Sequence, residues 1–329
     1  MTDFLTLAIQ NLTAPAVLFF ALGAAAGFAR SDLSIPDAVA KGLSLYLLLA
    51  IGFKGGVAAQ ANGLTGGFVS ALALGFALSV LMPFVAFAIL RAAGKLDRAT
   101  LAATAAHYGS ISIVTFVAAM DFAKLAGLAP GGYLSAVAAV METPGIVAAL
   151  FLAGPRPDAK GDKPAEGPLS PELIREVLLN GSVVVLVGAF AIGLITGERG
   201  MARLDPFVNG LFAGVLCLFL LEMGLVAARR LQGKSRLTAP LVLAGIAIPL
   251  VGATIALIGA RLFGIGPHDG AILMTLAASA SYIAAPAAVR IALPEGDPGV
   301  YLPLAIGVTF PFNIAIGIPL YAGVAQAVL

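Results

Sequence analysis

The sequence predicts an all-α integral membrane protein with ten transmembrane helices. Of its 329 residues, 60% are hydrophobic and only 11% are charged, whereas a soluble domain carries about a quarter charged residues. Uncharged runs of about 20 residues, the length that crosses the hydrocarbon layer as a helix, recur along the whole chain. The chain therefore lacks the polar residues needed to cover a core of this size in water.

The predicted spans end where Gly, Pro and charged residues interrupt the apolar runs, as expected at helix termini. In chain order they are Leu12–Ala29, Ala38–Ala59, Phe68–Leu90, Ala99–Met120, Gly132–Ala153, Ile174–Ile195, Phe207–Ala228, Leu237–Ala260, Gly270–Arg290 and Val300–Val328.

Charge and cysteine content exclude several functions. With 19 Lys and Arg against 17 Asp and Glu, the chain has no basic field for nucleic acid. Two His and one Cys cannot form a disulfide framework or a Cys/His metal cluster.

A membrane-embedded enzyme needs paired catalytic acids, a nucleophile with its base or metal ligands, and the sequence shows none of these patterns. We expect no enzymatic activity and no cofactor. A receptor or scaffold without transport would be recognised by the absence of solute flux.

The spans divide into two halves of five helices. The longest hydrophilic stretch, residues 154–171, is rich in proline and charge and predicts a flexible linker. It separates a first unit, residues 1–153, from a second, residues 172–329.

Most Lys and Arg residues fall in this linker and in the loops after helices 1, 3, 7 and 9. Basic loops are retained in the cytoplasm, so we expect both termini to be periplasmic.

The two halves predict an inverted repeat. Gly23-x3-Gly27 matches Gly193-x3-Gly197, Asp97 matches Asp269, and further matches follow in the same order. Because each half has an odd number of helices, the second must enter the membrane in the opposite orientation. Inverted repeats are typical of secondary transporters, whose sites lie near the midplane where discontinuous helices meet.

Polar, helix-breaking residues occur at equivalent places in the fourth and ninth helices. The fourth carries His107 to Thr115 (HYGSISIVT), and the ninth carries Ser279 to Pro286 (SASYIAAP). We expect both helices to be interrupted there. The helix halves that begin after the breaks would present free amides to an anion, and freed carbonyls and hydroxyls would suit Na⁺. The alternative is that Ser and Gly only permit close helix packing.

An acidic residue inside a predicted span is a second candidate feature. Glu142 lies mid-helix beside Pro144, and the repeat-related stretch carries Asn313 near Pro311. Intramembrane ionisable groups are costly and tend to be functional. We expect Glu142 either to ligate a cation or to pair with His107, and Asn313 to supply a neutral oxygen to the same site.

Three long strings resemble the sodium-dependent bicarbonate transporters of the SbtA type, namely HYGSISIVTF, SASYIAAPAAVRIALPE and YLPLAIGVTFPFNIAIGIPLY. The resemblance covers almost the whole chain. It implies a core domain of helices 3–5 and 8–10, a gate or scaffold domain of helices 1–2 and 6–7, and a homotrimer in the bacterial inner membrane. Cyanobacterial members are regulated by a PII-like protein at the cytoplasmic face, so the resemblance also names a PII-like regulator as a candidate partner.

The resemblance also implies site residues. The bicarbonate site would comprise Ser110, Ile111, Ser112, Ser281, Tyr282 and Ile283. The sodium ligands would come from Thr115, Glu142, Ser279, Thr309 and Asn313.

The expected function is import of bicarbonate with Na⁺ as coupling ion, by alternating access. The alternative is a carrier of the same fold for another small anion or a carboxylate, coupled to Na⁺ or to protons.

Overall fold

The computed structural model describes residues 9, 12–62, 66–153, 179, 181–232 and 236–329, and within these ranges it is helical with no strand. The predicted linker, residues 154–171, lies outside the described residues, as does the start of the predicted sixth span.

The described part of the first half contains seven helices. They are α1 (Pro15–Phe28), α2 (Asp37–Asn62), α3 (Gly66–Ala93), α4 (Arg98–Gly109), α5 (Ile113–Leu125), α6 (Leu134–Val140) and α7 (Pro144–Ala153).

The described second half contains both α- and π-helical segments. They are α8 (Gly181–Asp205), a π turn (Pro206–Gly210), α9 (Phe212–Gln232), α10 (Ala239–Leu262), α11 (Pro267–Ala277), α12 (Ala284–Ala292), α13 (Pro298–Leu302), a π segment (Pro303–Thr309), α14 (Phe310–Phe312), a second π segment (Asn313–Gly317) and α15 (Ile318–Val328).

Seven helical stretches among the described residues are long and apolar enough to cross a membrane. Six correspond to predicted spans 2, 3, 4, 5, 8 and 10, and the seventh, Val184–Gln232, runs through both the sixth and the seventh. The first and ninth predicted spans contain no single helix of this length, because α1 has 14 residues, α11 has 11 and α12 has nine. The protein is thus a membrane protein with several apolar helices.

α1 and α9 meet backbone to backbone at two glycines. A Cβ added at Gly23 would lie 1.9 Å from the carbonyl oxygen of Leu221, and one at Gly224 would lie 2.1 Å from that of Phe20. Neither position has room for any side chain. Small residues allow this approach, and packing then replaces the hydrophobic effect that lipid does not provide.

α2 and α8 repeat the same contact. A Cβ at Gly193 would lie 2.2 Å from the carbonyl oxygen of Phe53, and one at Gly56 would lie 2.0 Å from that of Phe190. At the C-terminal end of this contact Gly197 takes a positive φ of 53°, where a Cβ would fall 1.7 Å from the Gln60 side-chain oxygen. Only glycine fits this bend.

α4 and α5 form the centre of the molecule. An apolar window of 18 residues within Arg98–Leu125 is wholly buried inside the protein. Asp97 caps the start of α4 by accepting hydrogen bonds from the amide of Thr100, at 2.8 Å, and from its hydroxyl, at 2.7 Å. α3 and α7 pack against α4, so any irregular backbone at its end is surrounded by protein and not by lipid.

We expect Gly224→Ala to lower the free energy of unfolding by about 1–3 kcal/mol, because the new methyl group would overlap the α1 backbone. Gly214→Ala on the same helix is the matched control, since a Cβ there meets nothing within 4 Å. It should be neutral or stabilising by up to about 1 kcal/mol. Thermal unfolding in detergent measures both; equal midpoints would contradict the close contact.

Candidate functional site

The fourth predicted span is interrupted where the sequence predicts it. α4 ends at Gly109, Ser110 (φ −95°, ψ 138°) and Ser112 (φ −91°, ψ 109°) are extended, and α5 begins at Ile113. The Ser112 hydroxyl accepts a hydrogen bond from the Thr115 amide at 3.2 Å and so caps α5. Serine hydroxyls thus replace the helical hydrogen bonds lost at the break.

The ninth predicted span is interrupted as well. α11 ends at Ala277 and α12 begins at Ala284, with the Ser281 hydroxyl accepting a hydrogen bond from the Ala285 amide at 3.2 Å. Pro286 lies in the first turn of α12, where an N–H has no helical acceptor anyway. The proline therefore suits the start of the new helix and does not distort an existing one.

The two breaks are in direct contact. The Ser281 amide donates to the carbonyl oxygens of His107 (2.6 Å) and Ser110 (3.1 Å). The Ser112 amide donates to the Ser279 hydroxyl at 2.9 Å. Four of the predicted site residues are therefore brought together by hydrogen bonds between the two halves of the chain.

The remaining predicted anion-site residues differ in burial. Ile111 is buried and Tyr282 is half-buried, with its ring packed edge to face against Phe310 at a centroid distance of 5.3 Å. Ile283 is 40% exposed, so its side chain is not enclosed by the site.

Two helix N-termini lie beside this contact. α5 begins one residue after Ser112, and α12 begins three residues after Ser281. The first-turn amides of Ile113, Val114 and Ala284 have no acceptor within their own helices. Together with the positive ends of the two helix dipoles they favour a small anion.

Several buried polar atoms at the site have no hydrogen-bond partner within the described part of the chain. Among them are the hydroxyl oxygens of Ser110 and Thr115, Oε2 of Glu142 and Nε2 of His107. Each of these side chains is at most 2% exposed. Leaving a buried polar atom unpaired costs about 1–3 kcal/mol, so a cluster of them requires a physical explanation such as a ligand.

Glu142 lies in a third interruption, between α6 and α7. Its carboxylate makes no ion pair within the described residues. The expected pairing with His107 is absent: His107 Nδ1 donates to the Ala103 carbonyl oxygen at 2.7 Å, and its ring stacks on Tyr301 at 4.6 Å. The Glu142 carboxylate therefore lies within protein without a countercharge from the described chain.

The repeat-related stretch around Asn313 behaves differently from the one around Glu142. It stays helical through two π segments, because the wider π turn accommodates the local disruption without a break. Asn313 donates from Nδ2 to the Ala278 carbonyl oxygen at 2.8 Å, and its Oδ1 accepts from the Tyr321 hydroxyl at 3.0 Å. Asn313 thus holds the end of α11 beside the second break.

Thr309 is fully buried within a chain of hydrogen bonds. Its hydroxyl donates to the Gly245 carbonyl oxygen at 2.7 Å, so the Tyr108 hydroxyl, 2.8 Å away, must donate to Thr309. Only a lone pair of Thr309 remains for another partner.

Three residues with roles at the site were not singled out by the sequence patterns: Tyr108, Tyr321 and Ser79. Tyr108 lies within the polar string of the fourth span, but its partner is 201 residues away. Ser79, whose hydroxyl donates to the Gly109 carbonyl oxygen at the end of α4, is one of two serines in an apolar helix, a pattern with no distinguishing signal.

We expect Thr309→Val to destabilise the fold more than Tyr108→Phe. The phenylalanine variant loses one buried hydrogen bond, about 0.5–1.5 kcal/mol, and leaves Thr309 bonded to Gly245. The valine variant leaves both the Tyr108 hydroxyl and the Gly245 carbonyl unpaired, at about 1–3 kcal/mol each. Thermal unfolding in sodium-free detergent compares them; the reverse order would contradict the hydrogen-bond chain.

Comparison with known proteins identifies the family of the chain. The family described as the Na⁺-dependent bicarbonate transporter superfamily matches residues 15–326, nearly the full length of the chain. No curated protein gives a significant match. The chain therefore belongs to the Na⁺-dependent bicarbonate transporter superfamily, and it is a membrane transporter rather than an enzyme.

Proposed function

We propose that the protein is a sodium-dependent bicarbonate symporter that imports its anion at the contact between the two breaks. The observation that carries this proposal is the cluster of buried, unpaired polar atoms beside two helix N-termini. Amides and hydroxyls suit an anion, carboxylate and carbonyl oxygens suit Na⁺, and this cluster offers both.

The proposed bicarbonate site comprises Ser110, Ile111, Ser112, Ser281, Tyr282 and Ile283. Within it the Ser110 hydroxyl is the leading contact, because it is fully buried and unpaired in the described chain. The amides of Ser112 and Ser281 already donate to protein atoms. The anion would therefore be held by the Ser110 hydroxyl and the first-turn amides of α5 and α12.

The proposed sodium ligands are Thr115, Glu142, Ser279, Thr309 and Asn313. Thr115 and Glu142 have unpaired, buried oxygens. A bound Na⁺ would neutralise the Glu142 carboxylate, which burial otherwise makes costly to ionise. The other three have committed donors and would contribute only oxygen lone pairs. A sodium ion beside the anion also offsets its charge, so each ligand should favour binding of the other.

We extend the proposal to ten helices in two inverted repeats. The paired glycine contacts support it, because exchange of the two halves converts the α1–α9 contact at Gly23 and Gly224 into the α8–α2 contact at Gly193 and Gly56. In this arrangement α1, α2, α8 and α9 form the scaffold, and the predicted spans 3–5 and 8–10, which correspond to α3–α7 and α10–α15, form the core that carries the site. Movement of this core past the scaffold would provide alternating access.

The proposed assembly and location rest on the family resemblance and on the distribution of basic residues. They are a homotrimer in a bacterial inner membrane, with periplasmic termini and a cytoplasmic face open to a PII-like regulator.

A proton-coupled carrier of another small anion or a carboxylate is the second candidate. It is favoured by the lack of a cationic partner for Glu142 within the described chain, since a buried carboxyl group can carry a proton in place of Na⁺.

Uptake of labelled bicarbonate into proteoliposomes tests the proposal. We expect an inward Na⁺ gradient to drive uptake and its replacement by K⁺ to abolish it. Equal uptake with Na⁺ and K⁺ would reject sodium coupling, and uptake driven by a proton gradient alone would favour the second candidate. Competition by a panel of anions and carboxylates identifies the substrate.

We expect Ser110→Ala to raise the KM for bicarbonate roughly 10- to 100-fold, because a hydrogen bond to a charged group is worth about 1.5–3 kcal/mol. We expect Glu142→Gln to raise the Na⁺ concentration needed for half-maximal uptake by a similar factor. Thr254→Ala is the control, since this exposed hydroxyl bonds only to Leu250 in its own helix. Unchanged kinetics in Ser110→Ala would reject the assigned anion site.

A further inference from the structure

A buried serine in α3 joins two of the three interruptions. The Ser79 hydroxyl oxygen lies 2.9 Å from the Gly109 carbonyl oxygen and 2.9 Å from the Met141 carbonyl oxygen. It accepts a hydrogen bond from the Gly145 amide at 3.0 Å. Ser79 is 1% exposed, so water does not substitute for any of these contacts.

The chemistry of a hydroxyl group makes this arrangement two-state. A serine hydroxyl has one proton, so it can make a near-linear, full-strength hydrogen bond to only one of the two carbonyls at a time. Donation to Gly109 secures the last turn of α4, next to Ser110. Donation to Met141 leaves the Gly109 carbonyl without that donor and secures the backbone next to Glu142.

The surrounding backbone is too tightly packed to provide another donor. A Cβ at Gly145 would lie 2.1 Å from the Gly109 carbonyl oxygen, and a Cβ at Gly109 would lie 2.3 Å from Pro83 Cγ. Three backbones therefore converge on one hydroxyl, and neither glycine has room for a side chain that could replace it.

From this geometry we propose that Ser79 is a positioning residue that couples the anion site to the cation site. The proposal rests on the proposed function and specifies how its two ligands affect each other. A cation at Glu142 competes for the Met141 carbonyl oxygen, and the Ser79 proton then turns to the Gly109 carbonyl. The end of α4 is thereby fixed beside Ser110, and the anion binds more tightly.

Calorimetric titration of bicarbonate into the detergent-solubilised full chain tests this coupling. The readout is the ratio of the bicarbonate Kd in choline to that in saturating Na⁺. In the wild type we expect a ratio of roughly tenfold or more, within the usual range of coupling between sites. In Ser79→Ala we expect it to fall to within about twofold of unity, and Ser79→Thr, which keeps the hydroxyl, should restore it.

Ser135→Ala is the matched control, because it also removes a buried serine hydroxyl, one that bonds only to the nearby Gly132 carbonyl. It should keep the wild-type ratio. If Ser79→Ala fails to fold, Ser79→Cys replaces it, since a thiol fills a similar space but is too weak a donor to hold either carbonyl as a hydroxyl does. A wild-type ratio in Ser79→Ala or in Ser79→Cys would overturn the proposal. A wild-type protein that binds bicarbonate equally in Na⁺ and choline would instead reject the proposed sodium coupling itself.

Discussion

The fold depends on a constraint that the bilayer places on the backbone. Amide and carbonyl groups inside the hydrocarbon layer must be satisfied within the protein, so an interrupted helix is tolerated only where protein surrounds it. Here each of the two principal breaks supplies partners for the other: the Ser281 amide reaches the end of α4, and Ser279 receives the Ser112 amide. The remaining helices enclose this contact.

The same constraint explains why polarity is concentrated at one place. Serine hydroxyls accept first-turn amides of α5 and α12 and so replace bonds lost at the breaks. The atoms left unpaired, among them Ser110 Oγ and Thr115 Oγ1, are next to these caps. The interruptions therefore create both the opportunity and the chemical groups for binding a small charged solute, while the surrounding residues remain apolar.

Local sequence was sufficient to predict the interruptions but not all of the contacts around them. Glycine, serine and proline act on their own backbone, so the breaks in the fourth and ninth spans could be anticipated, whereas Glu142 was placed mid-helix and lies instead between two helices. The Tyr108–Thr309 bond depends on how distant helices pack, and Ser79 has the same sequence context as an ordinary packing serine. The stretch around Asn313 resembled that of Glu142 in composition, yet π turns keep it helical.

The glycine contacts restrict where the molecule can deform. At Gly23 and Gly193 the neighbouring backbones already touch, so these helix pairs cannot come closer, and separating them would forfeit extensive packing. Phe310, by contrast, meets Phe20 of α1 edge to face at 5.4 Å and Tyr282 of the second break at 5.3 Å. Rotation of these aromatic side chains can therefore rearrange the contact between α1 and the second break without disturbing the glycine contacts.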